Sequence, residues 1–294
     1  MVLASGLVQT KPHVSEWRHF LRVFFSRKLV MFGMVVIFLL MIAAIFAPFL
    51  TPYDPYDQNL AEWLLQPSWQ HPLGTDSLGR DTLSRLIYGS RNTLLVGIIS
   101  VGIASTAGMT IGLIAGYFGG WINSVFMRFI DALMCFPIIL LALVIAALLG
   151  SGLVNVMIAL GIALLPGYAR LMYGQVLSVK ENDYVLAEHA TGASNLRIML
   201  RHILPNCFPP LIVLVTMQMG SAILAEAGLS YIGVGVEPPA ASWGLMVNDG
   251  RLYLLTNPII SFTPGLAIMF VVFAFNMVGD GLRDALDPRL RGTL

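Results

Sequence analysis

Charged side chains are scarce in this sequence. Only 11% of its 294 residues are Asp, Glu, Lys or Arg, whereas a soluble domain carries about a quarter. Hydrophobic residues make up 57%, the mean hydropathy is +0.79 and the net charge is +1. The near-neutral charge indicates neither an acidic partner nor a nucleic acid. The composition therefore excludes a soluble globular protein and predicts a polytopic all-α membrane protein.

Lysine and cysteine are also rare, and both absences exclude chemistry. None of the three lysines follows a glycine, so the chain has no P-loop and cannot by itself cradle ATP phosphates in that manner. Cys135 lies in an apolar run and Cys207 beside a polar segment, so neither a disulfide nor a metal cluster is expected. The histidines show no metal-ligand spacing, and we interpret all five as solvated or interfacial: His13, His19, His71, His189 and His202. We predict no catalytic residue, no metal and no cofactor bound by this chain.

Long uncharged runs dominate what is present. At about 1.5 Å per residue, a helix of about 20 residues crosses a bilayer core of about 30 Å. The run 132–169 is too long for one span; Gly150-Ser151-Gly152 divides it, and Pro137 is expected to kink its first half. The first run follows a basic segment and lacks a cleavage site, so it is predicted to be a retained span rather than a signal peptide. Six spans are predicted: 29–50, 93–117, 129–149, 153–175, 208–232 and 258–278.

The distribution of basic residues predicts the orientation. Most Lys and Arg fall in segments that lie in the cytoplasm if both termini do, as the positive-inside rule requires. A short interfacial helix is expected at 243–253. The predicted organisation is a cytoplasmic N-terminal segment 1–28, a first span 29–50, an extracytoplasmic loop 51–91, a five-helix core 92–281 and a cytoplasmic tail 282–294.

One polar segment, residues 183–206, interrupts the apolar core. Its pattern predicts a short helix, a break at Gly192, and a second helix capped by Ser194 or Asn195 and ended by Pro205. The second helix is expected to place apolar side chains on one face and two arginines on another: Leu196, Met199, Leu200 and Ile203, against Arg197 and Arg201. On these residues alone, a hairpin that only links two spans is an equal alternative.

The 183–206 segment resembles the coupling loop of permease subunits in binding-protein-dependent ABC importers. Ala187, Gly192, Leu204 and Pro205 match that pattern in register. The sequence departs from it at three positions: Leu186 replaces the glutamate, Glu188 the second alanine and His202 the isoleucine. The resemblance implies that the segment docks on an ATPase, and the residues it implicates most are Glu188, Gly192, Arg197, Arg201 and Pro205.

Three further stretches resemble the dipeptide, oligopeptide and nickel group of these importers. They are 71–85 (HPLGTDSLGRDTLSR), 228–244 with its Pro238-Pro239 and Ser242-Trp243-Gly244, and 279–289 (GDGLRDALDPR), the last typical of the C-type permease. With the 183–206 segment they extend the resemblance over most of 29–291. It implies a type I importer permease (MetI-like) fold in a bacterial or archaeal cytoplasmic membrane.

The partners implied by the resemblance are a second permease, two ATPase subunits that use ATP and Mg, and an extracytoplasmic solute-binding protein. Peptides are the expected substrate. Nickel chelates, glutathione and oligosaccharides are alternatives, because members of the group carry them. The rival classes are an intramembrane enzyme and a channel. Neither is favoured, because the sequence spaces no acid pair or Ser/Lys dyad at span depth and its polar residues are scattered.

Small residues recur every fourth position in the second predicted span, at Ala104, Gly108, Gly112 and Gly116. Such a stripe lets a neighbouring helix approach closely in lipid. It predicts either an interface with another subunit or gate, or close packing inside this chain. The pattern does not choose between them.

Polar residues at span depth are candidates for the translocation path, because an unpaired polar group is expensive in hydrocarbon. Glu226 could face the path and meet a peptide ammonium group, or it could lie near the outer headgroups or pair with a partner subunit. Gln218, Asn155 and Asn276 could line a wet path or bond between helices. Asp131 is expected to pair with Arg128, one helical turn away.

Overall fold

The computed structural model describes the backbone of residues 16–286 and the side chains of residues 20–286. The predicted terminal segments therefore fall outside the described residues at 1–15 and 287–294, as do His13 and the side chain of His19. Residues 16–286 are nearly all helical and contain no strand, apart from an isolated bridge between Thr75 and Asp81.

The helices follow one another with short connections, except after the first span and before the last. In chain order they are α1 Glu16–Ser26, α2 Lys28–Leu50, α3 Thr82–Phe118, α4 Gly120–Met134, α5 Ile138–Leu149, α6 Leu153–Lys180, α7 Asp183–Ala190, α8 Asn195–Arg197, α9 Leu204–Ile232, α10 Trp243–Gly250 and α11 Ile259–Leu286. A π-helical turn, Ile198–Ile203, joins α8 to α9, and short 3₁₀ turns lie at Leu60–Glu62 and Arg251–Tyr253.

Five helical stretches are long and apolar enough to cross a membrane: α2, α3, α6, the continuous helix 195–232, and α11. The helices α4 and α5 are long and apolar enough to cross a membrane only when taken together. The pair is bent by 95°, and Pro137 directly precedes α5. Proline cannot donate the hydrogen bond that would continue α4. The break expected at Pro137 is therefore present, and by length and composition residues 16–286 contain up to six spans if the bent pair counts as one.

The second long helix begins earlier than the predicted span. α3 starts at Thr82, inside the segment 51–91 that the sequence predicted to be a loop. Asp81 caps it, because its carboxylate accepts a hydrogen bond from the Ser84 backbone N–H at 2.7 Å. The predicted span begins later because it was confined to the uncharged run after Arg91, whereas α3 includes Arg85, whose side chain is buried and paired.

The two ends of the described chain meet. α1, which the sequence did not predict, lies in the N-terminal segment, and α11 runs on to Leu286 beyond the predicted boundary at 282. Arg27 forms an ion pair with Asp284 at 2.8 Å. This contact places the start of α2 beside the end of α11.

The stripe of small residues on α3 faces α6 of the same chain. A Cβ at Gly108 would lie 2.7 Å from the Leu165 carbonyl oxygen, one at Gly112 would collide with the Ala169 carbonyl oxygen, and one at Gly116 would lie 2.8 Å from the Val176 Cβ. Ala104 is fully buried on the same stripe. Of the two alternatives for this stripe, the structure therefore shows close packing inside one chain.

Candidate functional site

The 183–206 segment forms a helix, a glycine break and a second helix. α7 ends at Ala190, and Gly192 takes a φ of +80°, which side chains with a Cβ rarely adopt. The backbone N–H groups of Thr191, Gly192 and Ala193 donate to carbonyl groups of α7, so the end of the helix is closed. Ser194 occupies the cap position of α8, without a side-chain hydrogen bond to the backbone.

Pro205 does not end the second helix, contrary to the prediction. Residues 195–232 form one continuous helix that includes the π-helical turn, and the Leu204 N–H donates to the Met199 carbonyl five residues earlier. A regular α-helical turn would press the proline ring against the carbonyl of Arg201. The wider turn accommodates Pro205 instead, as π-bulges do in other helices.

One side of the segment is apolar and faces the helix bundle; this side, called the underside, packs on three spans. Val185, Ile198 and Ile203 are buried together with Met199 against side chains of α3, α6 and α9, namely Leu113, Met172, Val176, Cys207 and Leu211. The predicted apolar face was therefore correct for Met199 and Ile203 and wrong for Leu196 and Leu200. Because a turn closed by i→i+5 bonds shifts the faces of a helix, Ile198 is buried instead.

The opposite surface is exposed and mixes apolar with basic side chains. Leu196 is 62% exposed and Leu200 50% exposed, and the side chains of Arg197 and Arg201 are exposed beside them. Ala187, Gly192 and Pro205 are exposed too, whereas Glu188 and Leu204 are half-buried. The structure thus brings the predicted docking residues to one element with a free outer face.

Two of the positions that depart from the family pattern face each other. The His202 Nε2 lies 3.6 Å from a carboxylate oxygen of Glu188. Glu188 is on α7 and His202 is on the π-helical turn. Their contact therefore links the two arms of the segment, which are α7 before Gly192 and the helix that starts with α8 after it. Glu188 therefore contacts its own chain as well as being a docking candidate.

The end of α3 also contacts the segment, which the sequence did not predict. The Tyr117 hydroxyl donates to the Asn195 side-chain oxygen at 2.8 Å, and the Tyr117 and His189 rings stack with centroids 6.0 Å apart. Lys180 donates to the Gly116 carbonyl oxygen at 3.1 Å. No local pattern could have revealed these contacts, because Tyr117 and Asn195 are 78 positions apart.

Three of the four path candidates form hydrogen bonds with other groups of this chain, and Glu226 is the buried one. One carboxylate oxygen of Glu226, which is 1% exposed, accepts from the Ser230 hydroxyl at 2.7 Å and the Ser242 hydroxyl at 2.8 Å. Glu226 is therefore buried inside the chain and does not lie on a free surface.

The three amide candidates are spread along the spans. Asn155 donates to the Leu149 and Gly150 carbonyl oxygens and so closes the end of α5. Asn276 donates to the Val272 carbonyl of its own helix. Gln218 is half-buried on α9. Within the described side chains, no hydrogen bond joins any of the four path candidates to another.

Asp131 pairs with Arg170 of α6 rather than with Arg128. The sequence predicted the local pair because Arg128 lies one helical turn away. In the folded chain, α4 packs beside α6, and this places the α6 guanidinium against the carboxylate.

A buried polar cluster lies at the opposite end of α3, and we define it by five buried residues, His71, Asp76, Arg80, Asp81 and Arg85, together with the half-buried Asp249. The His71 Nδ1 lies 2.9 Å from a carboxylate oxygen of Asp81, and the Arg80 Nε lies 2.7 Å from one of Asp76. His71 is only 4% exposed, so its interpretation as a solvated or interfacial residue was wrong.

Arg85 holds this cluster to the loop before α10. Its guanidinium donates to the carbonyl oxygens of Pro55 at 3.1 Å and Pro239 at 3.4 Å, and its Nε lies 3.5 Å from Asp76. Burial raises the pKa of the Asp249 carboxyl, and the positive charges of Arg80 and Arg85 oppose that shift. Within the described residues, no group of three His, Cys, Asp or Glu side chains is placed to hold a metal ion.

Two family models match the sequence. One, described as the binding-protein-dependent transport system inner membrane component, matches residues 108–292. The other, described as the N-terminal TM domain of oligopeptide transport permease C, matches residues 15–67. Together they cover most of the chain, including the 183–206 segment.

Curated relatives match over almost their whole length. The dipeptide transport system permease protein DppC of Alkalihalophilus pseudofirmus is 42% identical over 278 residues, which cover 95% of this chain and 91% of that protein. The glutathione transport system permease protein GsiD of Pectobacterium atrosepticum is 39% identical over 292 residues, which cover 99% and 97%. The di/tripeptide transport system permease protein DppC of Pseudomonas aeruginosa is 42% identical over 292 residues, which cover 97% and 95%.

Solved structures with the same fold have much lower sequence identity. An inward-facing conformation of the MetNI methionine ABC transporter gives a TM-score of 0.57 at 20% identity, and covers 70% of this chain and 97% of the matched chain. The likeness shows a MetI-like fold, as the sequence predicted.

Proposed function

Because this chain belongs to the family of binding-protein-dependent transport system inner membrane components, we propose that it forms the translocation path of a peptide importer together with a second, homologous permease. The chain is a multi-pass membrane protein and a permease subunit of an ABC importer. The proposal adds the substrate, the partners and the coupling element. It places the chain in a bacterial or archaeal cytoplasmic membrane with both termini in the cytoplasm.

The 183–206 segment is proposed to dock on the ATPase subunits. The observation that carries this proposal is its two-sided construction: the underside packs on α3, α6 and α9, while Leu196, Leu200, Arg197 and Arg201 face outward. An element fixed on one side and open on the other can pass a partner's movement to the spans. Two ATPase subunits would hydrolyse ATP with Mg, since this chain has no P-loop.

Peptides are the proposed substrate. The relatives named for dipeptides, di/tripeptides and glutathione carry substrates that all contain a peptide bond. Nickel chelates and oligosaccharides remain the alternatives within the same architecture. An extracytoplasmic solute-binding protein would select among these before the permease receives them.

Gln218 is kept as the proposed path residue on α9. The other three candidates, Glu226, Asn155 and Asn276, are engaged in hydrogen bonds inside the chain. Those bonds satisfy polar groups that would otherwise be unpaired in a membrane. Their proposed role in the path is therefore secondary to that of Gln218.

The coupling proposal is tested by a double substitution in the segment. Gly192→Pro forbids the positive φ, and Arg197→Glu reverses a charge on the exposed face. We expect ATP-driven uptake by the reconstituted importer to be lost, whereas Arg197→Lys alone, which keeps the charge, should retain most of it. Uptake that survives the double substitution would overturn the assignment.

The substrate proposal is tested on the binding protein. Calorimetric titration of the cognate binding protein with dipeptides and tripeptides, and then with nickel complexes, should give heat of binding with the peptides. Binding of nickel complexes alone would replace peptides with the alternative.

A further inference from the structure

Tyr117 contacts both arms of the 183–206 segment at once. Its ring stacks on His189 at the end of α7, with planes 14° apart. Its hydroxyl donates to the Asn195 side chain at the start of α8. Because Gly192 lies between these two contacts in the chain, one side chain spans the break.

The helix that carries Tyr117 packs closely on α6. Gly108, Gly112 and Gly116 let the backbones of α3 and α6 approach so closely that a Cβ at any of them would collide. Lys180, the last residue of α6, donates to the Gly116 carbonyl oxygen one position before Tyr117. Lys180 therefore connects the end of α6 to the end of α3 just before the 183–206 segment begins.

The opposite end of α3 lies in the buried polar cluster. Asp81 caps the helix and Arg85, in its first turn, donates to the Pro55 and Pro239 carbonyl oxygens. Trp243 of α10 donates to the Leu86 carbonyl oxygen at 2.8 Å. A displacement of the 183–206 segment that is passed to α3 would reach these groups through one continuous helix.

We propose that Tyr117 is a positioning residue for energy coupling, which fixes the angle between the two arms of the segment and links them to α3. This inference rests on the proposed docking of the 183–206 segment, and it assigns a role to a residue outside that segment. The hydroxyl donates to Asn195 of α8 and also lies 3.3 Å from the His189 Nε2 of α7, while the ring stacks on His189. Without the hydroxyl, the second arm would be held to α3 only through its apolar underside.

The test is Tyr117→Phe, which removes the hydroxyl and keeps the ring. It uses the complete importer reconstituted in liposomes, with substrate uptake and ATP hydrolysis measured on the same sample. We expect the amount of substrate imported per ATP hydrolysed to fall roughly fivefold, the factor that one net hydrogen bond represents, while the complex assembles normally. The matched control is Tyr173→Phe on α6, a half-buried tyrosine that packs against α4; its import-to-ATP ratio should not change.

Substitutions at Asn195 separate positioning from simple stability. Asn195→Asp keeps an acceptor oxygen for the tyrosine and should keep the wild-type ratio, whereas Asn195→Leu should lower it as Tyr117→Phe does. The double variant Tyr117→Phe, Asn195→Leu should be no worse than Tyr117→Phe alone, because Tyr117→Phe already removes the bond to Asn195. An unchanged ratio in Tyr117→Phe, or fully additive losses in the double variant, would overturn the inference. Both outcomes leave the docking proposal intact, since that is tested separately by the Gly192→Pro, Arg197→Glu double variant and by contact of the segment with an ATPase.

Discussion

Arg85 is a charged residue in the interior of a chain that has few charges. It is 1% exposed, and its guanidinium reaches two carbonyl oxygens and approaches the Asp76 carboxylate at 3.5 Å. Removing the guanidinium would leave the buried Pro55 carbonyl oxygen without this donor, which costs about 1–3 kcal/mol, while Asp76 would keep its ion pair with Arg80.

We therefore expect Arg85→Met to lower the free energy of unfolding by about 1–3 kcal/mol, measured by detergent-induced unfolding of the purified chain. The control is Arg27→Ala at the exposed pair with Asp284, for which the loss should stay below about 1 kcal/mol. Equal effects at both positions would show that the buried polar cluster does not stabilise the fold.

Glu226 is the second buried charged residue whose contacts can be tested by substitution. Both serine hydroxyl groups donate to the same oxygen of its side chain. Glu226→Gln keeps an acceptor oxygen at that place, so both stability and peptide uptake should remain near wild type. Glu226→Leu should lower the free energy of unfolding by about 1–3 kcal/mol, because it leaves two buried hydroxyl groups without an acceptor. Loss of peptide uptake in the Gln variant would instead favour a direct role of the carboxylate in the path.

At the scale of single residues, the sequence predicted what local geometry decides and missed what distant partners decide. The break at Gly192 follows from the conformational freedom of glycine. The burial of Arg85 depends on Pro239, which is 154 positions away. The extension of the helix through Pro205 depends on a π-helical turn that the sequence pattern did not reveal.

At the scale of elements, the glycine stripe of α3 lets the backbones of α3 and α6 approach closely. A Cβ at Gly112 would collide with the α6 backbone, whereas one at Gly102 on the same helix would meet nothing within 4 Å. We expect Gly112→Ala to reduce the free energy of unfolding by about 1–3 kcal/mol, because the helices must separate.

Gly102→Ala is the matched control for that substitution. It should leave the stability unchanged or raise it by up to about 1 kcal/mol, since alanine favours the helix. Detergent-induced unfolding of the two variants side by side checks both expectations. A destabilisation of equal size at both positions would mean that helix packing is not what the stripe provides.

The elements themselves were largely predictable, because a bilayer sets the length of an apolar span. All six predicted spans overlap helices of the structure, and the short helix expected at 243–253 is α10 with the 3₁₀ turn that follows it. The start of α3 was missed although Asp81 and Ser84 form a usable capping signal. The predicted span was confined to the uncharged run after Arg91, and nothing in the local sequence shows that Arg85 is paired.

At the scale of the whole molecule, α3 connects two polar regions that lie at opposite ends of the helix bundle. One end meets the 183–206 segment through Tyr117, and the other enters the buried polar cluster through Asp81 and Arg85. The central claim is that the 183–206 segment is the surface through which an external ATPase moves this bundle. Everything proposed about coupling depends on that contact.

Cysteine cross-linking in the assembled importer tests the claim most directly. In a chain with Cys135 and Cys207 replaced, Leu196→Cys places a thiol on the segment's exposed face, and Leu252→Cys, at a position 76% exposed near the start of α11, places one at the opposite end. With a short bifunctional reagent, we predict that position 196 cross-links to an ATPase subunit and position 252 does not. An ATPase cross-link at position 252 with none at position 196 would contradict the account.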